Sequence, residues 1–319
     1  MITAITLTAA MAVRRPGRSR LLTTGSAPFL RVDGALRPVE GAALTEPEVD
    51  RLVTGVLGKE LTERFRREKQ VDFAFSWGEK ARLRGNAFVQ RGTSALALRI
   101  IPFHVPSPAQ LGLPSVVVGW AGMPCGFVLV TGPTGSGKST SLAALLDHVN
   151  THRSVRILTI EDPIEYLHRH KRSAVNQREL GTDTDSFPGA LRSALREDPD
   201  VLILGEMRDP ESISAALTIA ETGHLVFATL HTNDTSQTLD RIVNVFPAEQ
   251  QPQIRLQLAH TLVGILNQTL IPRIGGGRVA AYEVLVGTSA IRNLIREGIQ
   301  QANGRRAKPL GVTPGRGAV

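Results

Sequence analysis

Nine consecutive residues, Gly132, Pro133, Thr134, Gly135, Ser136, Gly137, Lys138, Ser139 and Thr140, set three glycines against a lysine and four hydroxyls. Glycines let the backbone fold so tightly that successive amides converge, and converging amides suit phosphate oxygens. Lys138 would reach the β- and γ-phosphates of ATP, and Ser139 would ligate Mg2+. Both flanks fit. The apolar run "FVLV" precedes the loop, and "STSLAALLDHV" after it reads as a helix whose N-terminus adds partial positive charge.

Acids follow at two further strand ends. "VRILTIEDPIEYLH" runs into Glu161, Asp162 and Glu165, and "PDVLILGEMRDP" runs into Gly205 and Glu206. Carboxylates at the C-terminal edge of a doubly wound sheet face the ligand crevice. Glu206 would bind Mg2+ through water, and Glu165 or Glu206 would position the attacking water. His224 and His231 bracket a third strand, "LVFATL". His231, at the C-terminal end, would share an edge with Lys138 and Glu206, where it can sense the γ-phosphate; the role of His224 at the strand's start does not follow from its position.

These groups need a scaffold. From about Pro106 to Gly298 strands alternate with helices, which predicts a parallel, doubly wound α/β domain. Ahead of it, "FLRVDGALRPV" reads as a hairpin turning at Asp33-Gly34 and "EPEVDRLVTGVL" as an amphipathic helix. "VDFAFSW", "ARLRGNAFVQ" and "SALALRIIP" read as strands of a small α+β module, and the proline-rich "PFHVPSPAQLGLPS" as the start of a linker. The Gly-, Pro- and Arg-rich C-terminal tail reads as disordered.

The net charge of +8 lies in the two ends: Arg14, Arg15, Arg18 and Arg20 at one, Arg305, Arg306, Lys308 and Arg316 at the other, with no acid in either stretch. The body is balanced at 29 bases against 29 acids. Whole-chain charge therefore says little about a nucleic-acid partner, and aromatics at 4% leave no stacking platform among the tail arginines. No direct nucleic-acid partner is expected. The lone Cys125 excludes an intrachain disulfide and points to a reducing compartment. No stretch reaches the roughly 20 apolar residues of a membrane span, and "MITAITLTAAMAV" followed by "RRPGRSR" has its charges on the wrong side for a signal peptide.

Together, "GPTGSGKST", "TIEDPIEY", "ALREDPDVLILGEMRD", "TGHLVFATLHTND", "DRIVNVFP" and "AIRNLIREG" resemble the secretion-ATPase superfamily, and within it the PilT-like retraction ATPases of type IV pili. The resemblance implies an atypical basic segment over 1–21, a PAS-like domain over 22–106, a linker over 107–119, a RecA-like P-loop ATPase domain over 120–298 and a basic tail over 299–319. It further implies a cytoplasmic homo-hexameric ring, held at the inner face of the cytoplasmic membrane, that hydrolyses ATP with Mg2+. Domain motion would drive an inner-membrane platform protein of the pilus machinery. Lys138 and Ser139 match the Walker A pair, Glu165 the catalytic glutamate of the Asp box, Glu206 the Walker B glutamate, and His224 with His231 the His box. Arg84 and Arg99 match two arginines of the N-terminal domain that reach the nucleotide, where a guanidinium stabilises charge in phosphoryl transfer. Gly85 stands where a valine is common, which weakens that strand match.

Both ends depart from the family pattern: "GRSRLL" replaces the usual entry to the first domain, and "QQANGRRAKPLG" replaces the helices expected after "AIRNLIREG". The expectation drawn from this is an altered start, a truncation or a frame disruption. Two alternatives to a motor follow: a catalytically weak nucleotide-binding regulatory subunit of a pilus or secretion ring, or a type II secretion or pilus extension ATPase. The second is disfavoured because the chain lacks the four-cysteine insertion usual there.

Overall fold

The computed structural model describes residues 19–32, 35–77, 81–101, 104–207, 209–274 and 276–298. Most of the basic N-terminal segment, the Asp33-Gly34 turn and the 299–319 tail lie outside the described residues. The chain divides into two units, Met1–Phe103 and His104–Val319.

The first unit begins with β1 (Ser19–Thr23), β2 (Phe29–Val32) and β3 (Ala35–Pro38), followed by helix α1 (Glu46–Glu68) and strands β4 (Gln70–Trp77), β5 (Ala81–Gln90) and β6 (Thr93–Ile101). The six strands form one antiparallel sheet in the order β3-β2-β1-β6-β5-β4. Strand β1 starts three residues ahead of the module expected from residue 22. Helix α1 starts at a capping box in which the Glu48 carboxylate accepts from the Thr45 amide and hydroxyl, and these bonds hold the Glu48 pKa below its ordinary value. The helix packs Val49, Val53, Leu57 and Phe65 onto Val71, Phe73, Leu83, Leu96 and Leu98 on one face of the sheet. Gly85 belongs to that face: a Cβ there would stand 2.1 Å from the Phe73 ring. The substitution that weakened the strand match thus makes room for an aromatic across the sheet.

The second unit opens with α2 (Pro108–Leu111) and α3 (Ser115–Trp120), so the stretch read as a linker is largely helical. Its proline content hid this, because Pro108 occupies the first turn of α2, where proline is tolerated. Ser107 and Gln110 close a reciprocal capping box, and α3 buries Val117 and Trp120. Then come β7 (Gly126–Thr131), α4 (Lys138–His152), β8 (Arg156–Glu161), β9 (Ala174–Glu179), α5 (Phe187–Ala194), β10 (Val201–Leu204), α6 (Pro210–Glu221), β11 (Leu225–Leu230), α7 (Thr235–Asn244), α8 (Gln251–Thr261), β12 (Leu262–Pro272), β13 (Arg278–Val286) and α9 (Ser289–Glu297).

The seven strands order as β13-β12-β7-β11-β10-β8-β9, all parallel except the β12–β13 hairpin. Every residue of β7, β10 and β11 is buried, as strands covered on both faces require. Alternate residues serve the two faces. Phe127, Leu129, Leu158, Leu202 and Val226 meet helices α5 to α9, whereas Val128, Val130, Ile157, Ile203 and Phe227 meet α3 and α4. Among the described residues no helix is long and apolar enough to cross a membrane.

Candidate functional site

Strands β7, β11, β10 and β8 lie side by side and parallel, so their C-terminal ends line one edge of the sheet. Each end delivers one piece of chemistry: the glycine loop and Lys138 after β7, His231 after β11, Glu206 after β10, and Glu161 with Glu165 at and beyond the end of β8.

The loop is shaped by its neighbours. Gly132 and Gly137 have φ of 138° and 92°, which L side chains rarely adopt, and a Cβ on Gly132 would stand 2.1 Å from the Gln268 carbonyl oxygen. Lys138, 7% exposed, donates from Nζ to the Gly132 and Pro133 carbonyls at 2.8 and 3.0 Å. The same Nζ lies 3.2 Å from His231 Nδ1, and His231 Nε2 lies 3.1 Å from Glu206 Oε1. An ammonium donates and a carboxylate accepts, so this chain of contacts uses the imidazole with its hydrogen on Nε2. Burial pulls the Lys138 pKa below its ordinary value, and the charges of Glu206 and then Glu165 oppose that shift. Lys138, His231, Glu206 and Glu165 therefore form one electrostatic cluster.

The loop carrying Glu206 is tied down on both sides. Gly205 N donates to Ile160 O at 2.8 Å, Met207 N donates to Thr229 O at 3.1 Å, and the Thr229 hydroxyl donates to Gly205 O. Glu161 anchors the next loop: its Oε1 accepts from Thr159 Oγ1 and Gln177 Nε2, and its carboxylate also accepts the Glu165 backbone N–H. Its burial raises its pKa, an effect that outweighs these hydrogen bonds. Thr140 Oγ1 contacts the Tyr166 hydroxyl at 2.9 Å, which joins the first turn of α4 to the same loop.

The cradle fits a nucleotide phosphate. Ser136 is 3% exposed and its Oγ is a buried polar atom without a hydrogen-bond partner, beside a loop that enters a helix N-terminus. Ser139 lies exposed in the first turn of α4. Ser139 and Glu206 offer only oxygen, which suits a hard cation such as Mg2+. Among the described residues no group of three or more His, Cys, Asp or Glu side chains can hold a metal alone. Mg2+ would therefore share its shell with phosphate and water, as this ion prefers.

The structure does not bring His224 to this cluster. It sits at the start of β11, about 20 Å of strand from His231. There its Nδ1 contacts Ile219 O at 3.0 Å and the Thr222 hydroxyl at 3.1 Å, closing the end of α6. Arg84 and Arg99 belong to the first unit, where they are direct cross-strand partners on β5 and β6 and so share one face of that sheet.

Two residues escaped the sequence reading. Asn267 Nδ2 donates to Thr131 Oγ1 and Thr232 O, and Gln268, 3% exposed, bonds both the glycine loop and α4. The only signal in the sequence is two amides inside an apolar strand, which buried surroundings oblige to find partners.

Residues 117–310 match the family model described as Type II/IV secretion system protein. The chain is 50% identical over 276 residues to the type IV pilus retraction ATPase PilT of Pseudomonas aeruginosa, spanning 86% of this chain and 80% of that one. It is 48% identical over 271 residues to a twitching motility protein of Neisseria gonorrhoeae, spanning 85% of this chain and 72% of that one. A crystal structure of the pilus retraction motor PilT with bound ADP superposes with a TM-score of 0.86 at 47% identity, covering 92% of this chain and 86% of that one.

Proposed function

Because the chain belongs to the type II/IV secretion ATPase family, and within it to the PilT-like retraction ATPases, we propose that it is an ATP-hydrolysing motor powering type IV pilus retraction and twitching motility. The observation that carries the reading is the convergence of Lys138, His231, Glu206 and Glu165 on four adjacent strand ends beside the glycine loop.

The loop amides and the N-terminus of α4 bind the phosphates, and Lys138 compensates charge building on the β–γ bridge. Ser139, and Glu206 through water, would hold Mg2+, which would supply Lewis-acid polarisation of the phosphate oxygens. Glu165 orients the attacking water, and Glu161 holds Glu165 in place through its backbone N–H. His231 lies between Lys138 and Glu206, so a change in charge on either is felt by the other through one ring. Arg84 and Arg99, direct partners on β5 and β6, carry the role that the family resemblance gives them, compensating charge in phosphoryl transfer.

In this reading the subunits form a homo-hexameric ring in the cytoplasm, peripheral to the inner face of the membrane, and domain motion drives an inner-membrane platform protein of the pilus machinery. The test is ATP turnover per subunit against protein concentration with Mg2+ present. Turnover that rises steeply with concentration supports a ring whose subunits complete one another's sites. Flat, near-zero turnover with nucleotide still bound overturns the motor and leaves a regulatory subunit.

A further inference from the structure

Strand β12 pairs with β7 in parallel and, past a register shift between Leu262 and Gly264, sets Asn267 opposite Thr131, the last residue before the glycine loop. Gln268, one residue further, therefore stands against the loop itself. It touches the loop in three places. Its main-chain oxygen occupies the space a side chain at 132 would need, its Nε2 lies 2.7 Å from where a Cβ on Gly137 would stand, and the same Nε2 donates to Ser136 O at 2.6 Å. Its Oε1 accepts from Ser141 Oγ at 2.7 Å, one turn into α4. Both ends of one buried amide are thus satisfied, one by the loop and one by the helix that follows it.

We propose that Gln268 is a positioning residue for nucleotide binding, setting the orientation of the Ser136–Gly137 peptide; this rests on the reading of the glycine loop as a phosphate site. Among the described residues the only cis bond is Asp162-Pro163, so the Ser136–Gly137 peptide is trans and planar. Its C=O and N–H therefore point in opposite directions. Holding Ser136 O toward β12 aims the Gly137 N–H away from β12, toward the phosphate side of the loop. Gly137 at φ 92° has no side chain to hold that rotation, and the hydrogen bond from Gln268 holds it instead. Without the donor, the buried Ser136 carbonyl gains by rotating to find another, and the amide is carried away from the phosphate with it.

The test titrates a fluorescent ADP analogue into the full chain and into two variants, reading affinity and stoichiometry separately. Gln268→Met keeps the length and removes both hydrogen bonds; it is expected to weaken binding about tenfold or more at unchanged stoichiometry. A merely structural defect would instead lower the fraction of chains that bind and leave the affinity of the remainder unchanged. Gln268→Glu keeps the amide's shape but presents a carboxylate to Ser136 O, so its deficit against wild type is expected to shrink as pH falls toward about 5, where a protonated carboxyl recovers a donor. This second variant decides the matter if the first does not fold. Wild-type affinity in the variants, or a Gln268→Glu deficit that stays constant with pH, overturns the proposal. A wild-type chain that binds no nucleotide overturns the phosphate-site reading along with it.

Discussion

Lys138 and Glu206 lie on opposite sides of the His231 ring, so a change at either should be read by the other. Glu206→Gln keeps an oxygen able to accept from Nε2 and removes only the charge. It is therefore expected to leave ATP affinity near wild type while lowering turnover about 10² to 10⁴-fold, as checked by nucleotide titration beside steady-state phosphate release. Wild-type turnover would refute a catalytic role for this carboxylate. Lys138, Glu206 and His231 were legible because each follows an apolar strand, His231 directly, Glu206 after one glycine and Lys138 after the glycine loop, and parallel strands put such positions at one edge. Gln268 was not legible. It reaches the loop only through the pairing of β12 with β7, more than 130 residues apart in sequence, and nothing in "LNQTLIP" announces that pairing. His224 shows the converse: the family resemblance grouped it with His231, yet the strand's length separates its two ends.

At the scale of elements, the motif "AIRNLIREG" forms helix α9, which is fixed at both ends. Thr288 caps α9 by accepting from Ile291 N, and Gly298 ends it with φ 65°. Arg292 donates to three carbonyls, Gly287 O at 2.9 Å, His260 O at 3.3 Å and Leu262 O at 3.0 Å, and so closes the C-terminal end of α8. Arg292→Met keeps the apolar stem and loses these charge-assisted bonds, at a cost of about 1 to 3 kcal/mol. Amide hydrogen exchange is expected to quicken in the last turn of α8, in α9 and at the start of β12, and not in α4; unchanged protection there would mean that the cap contributes nothing. Elements with strong periodicity or clear caps were read correctly from sequence, as with α1 and the strands of the doubly wound sheet. The short helices α2 and α3 were hidden because proline at a helix start and proline in a linker look alike until Ser107 and Gln110 are seen to bond one another.

At the scale of the whole chain, two measurements bear on assembly and on stability. If Arg84 acts across a subunit boundary, mixing Arg84→Ala with Lys138→Ala should restore part of the turnover that each lacks alone; a mixture no more active than its components would argue for action within one chain. Stability should also depend on acid through His168, whose ring is 2% exposed. Burial lowers its pKa from 6.5 to about 4, against the weaker pull of Asp147 at 3.8 Å. Between those values the unfolded chain binds a proton that the folded chain does not, so stability is whole above about pH 6.5 and declines as pH falls toward about 4. The loss is of the order of 3 kcal/mol. His168→Gln should remove that part of the slope in urea titrations across the range, and an identical slope would show that the ring titrates normally. Leu262, held by Arg292, and Gln268, which holds the glycine loop, are six residues apart on β12, about 20 Å of backbone that pairs with β13 from Gly264 onward and with β7 as far as Asn267. The helix α9 and the phosphate cradle thus share one strand, β12, as their anchor.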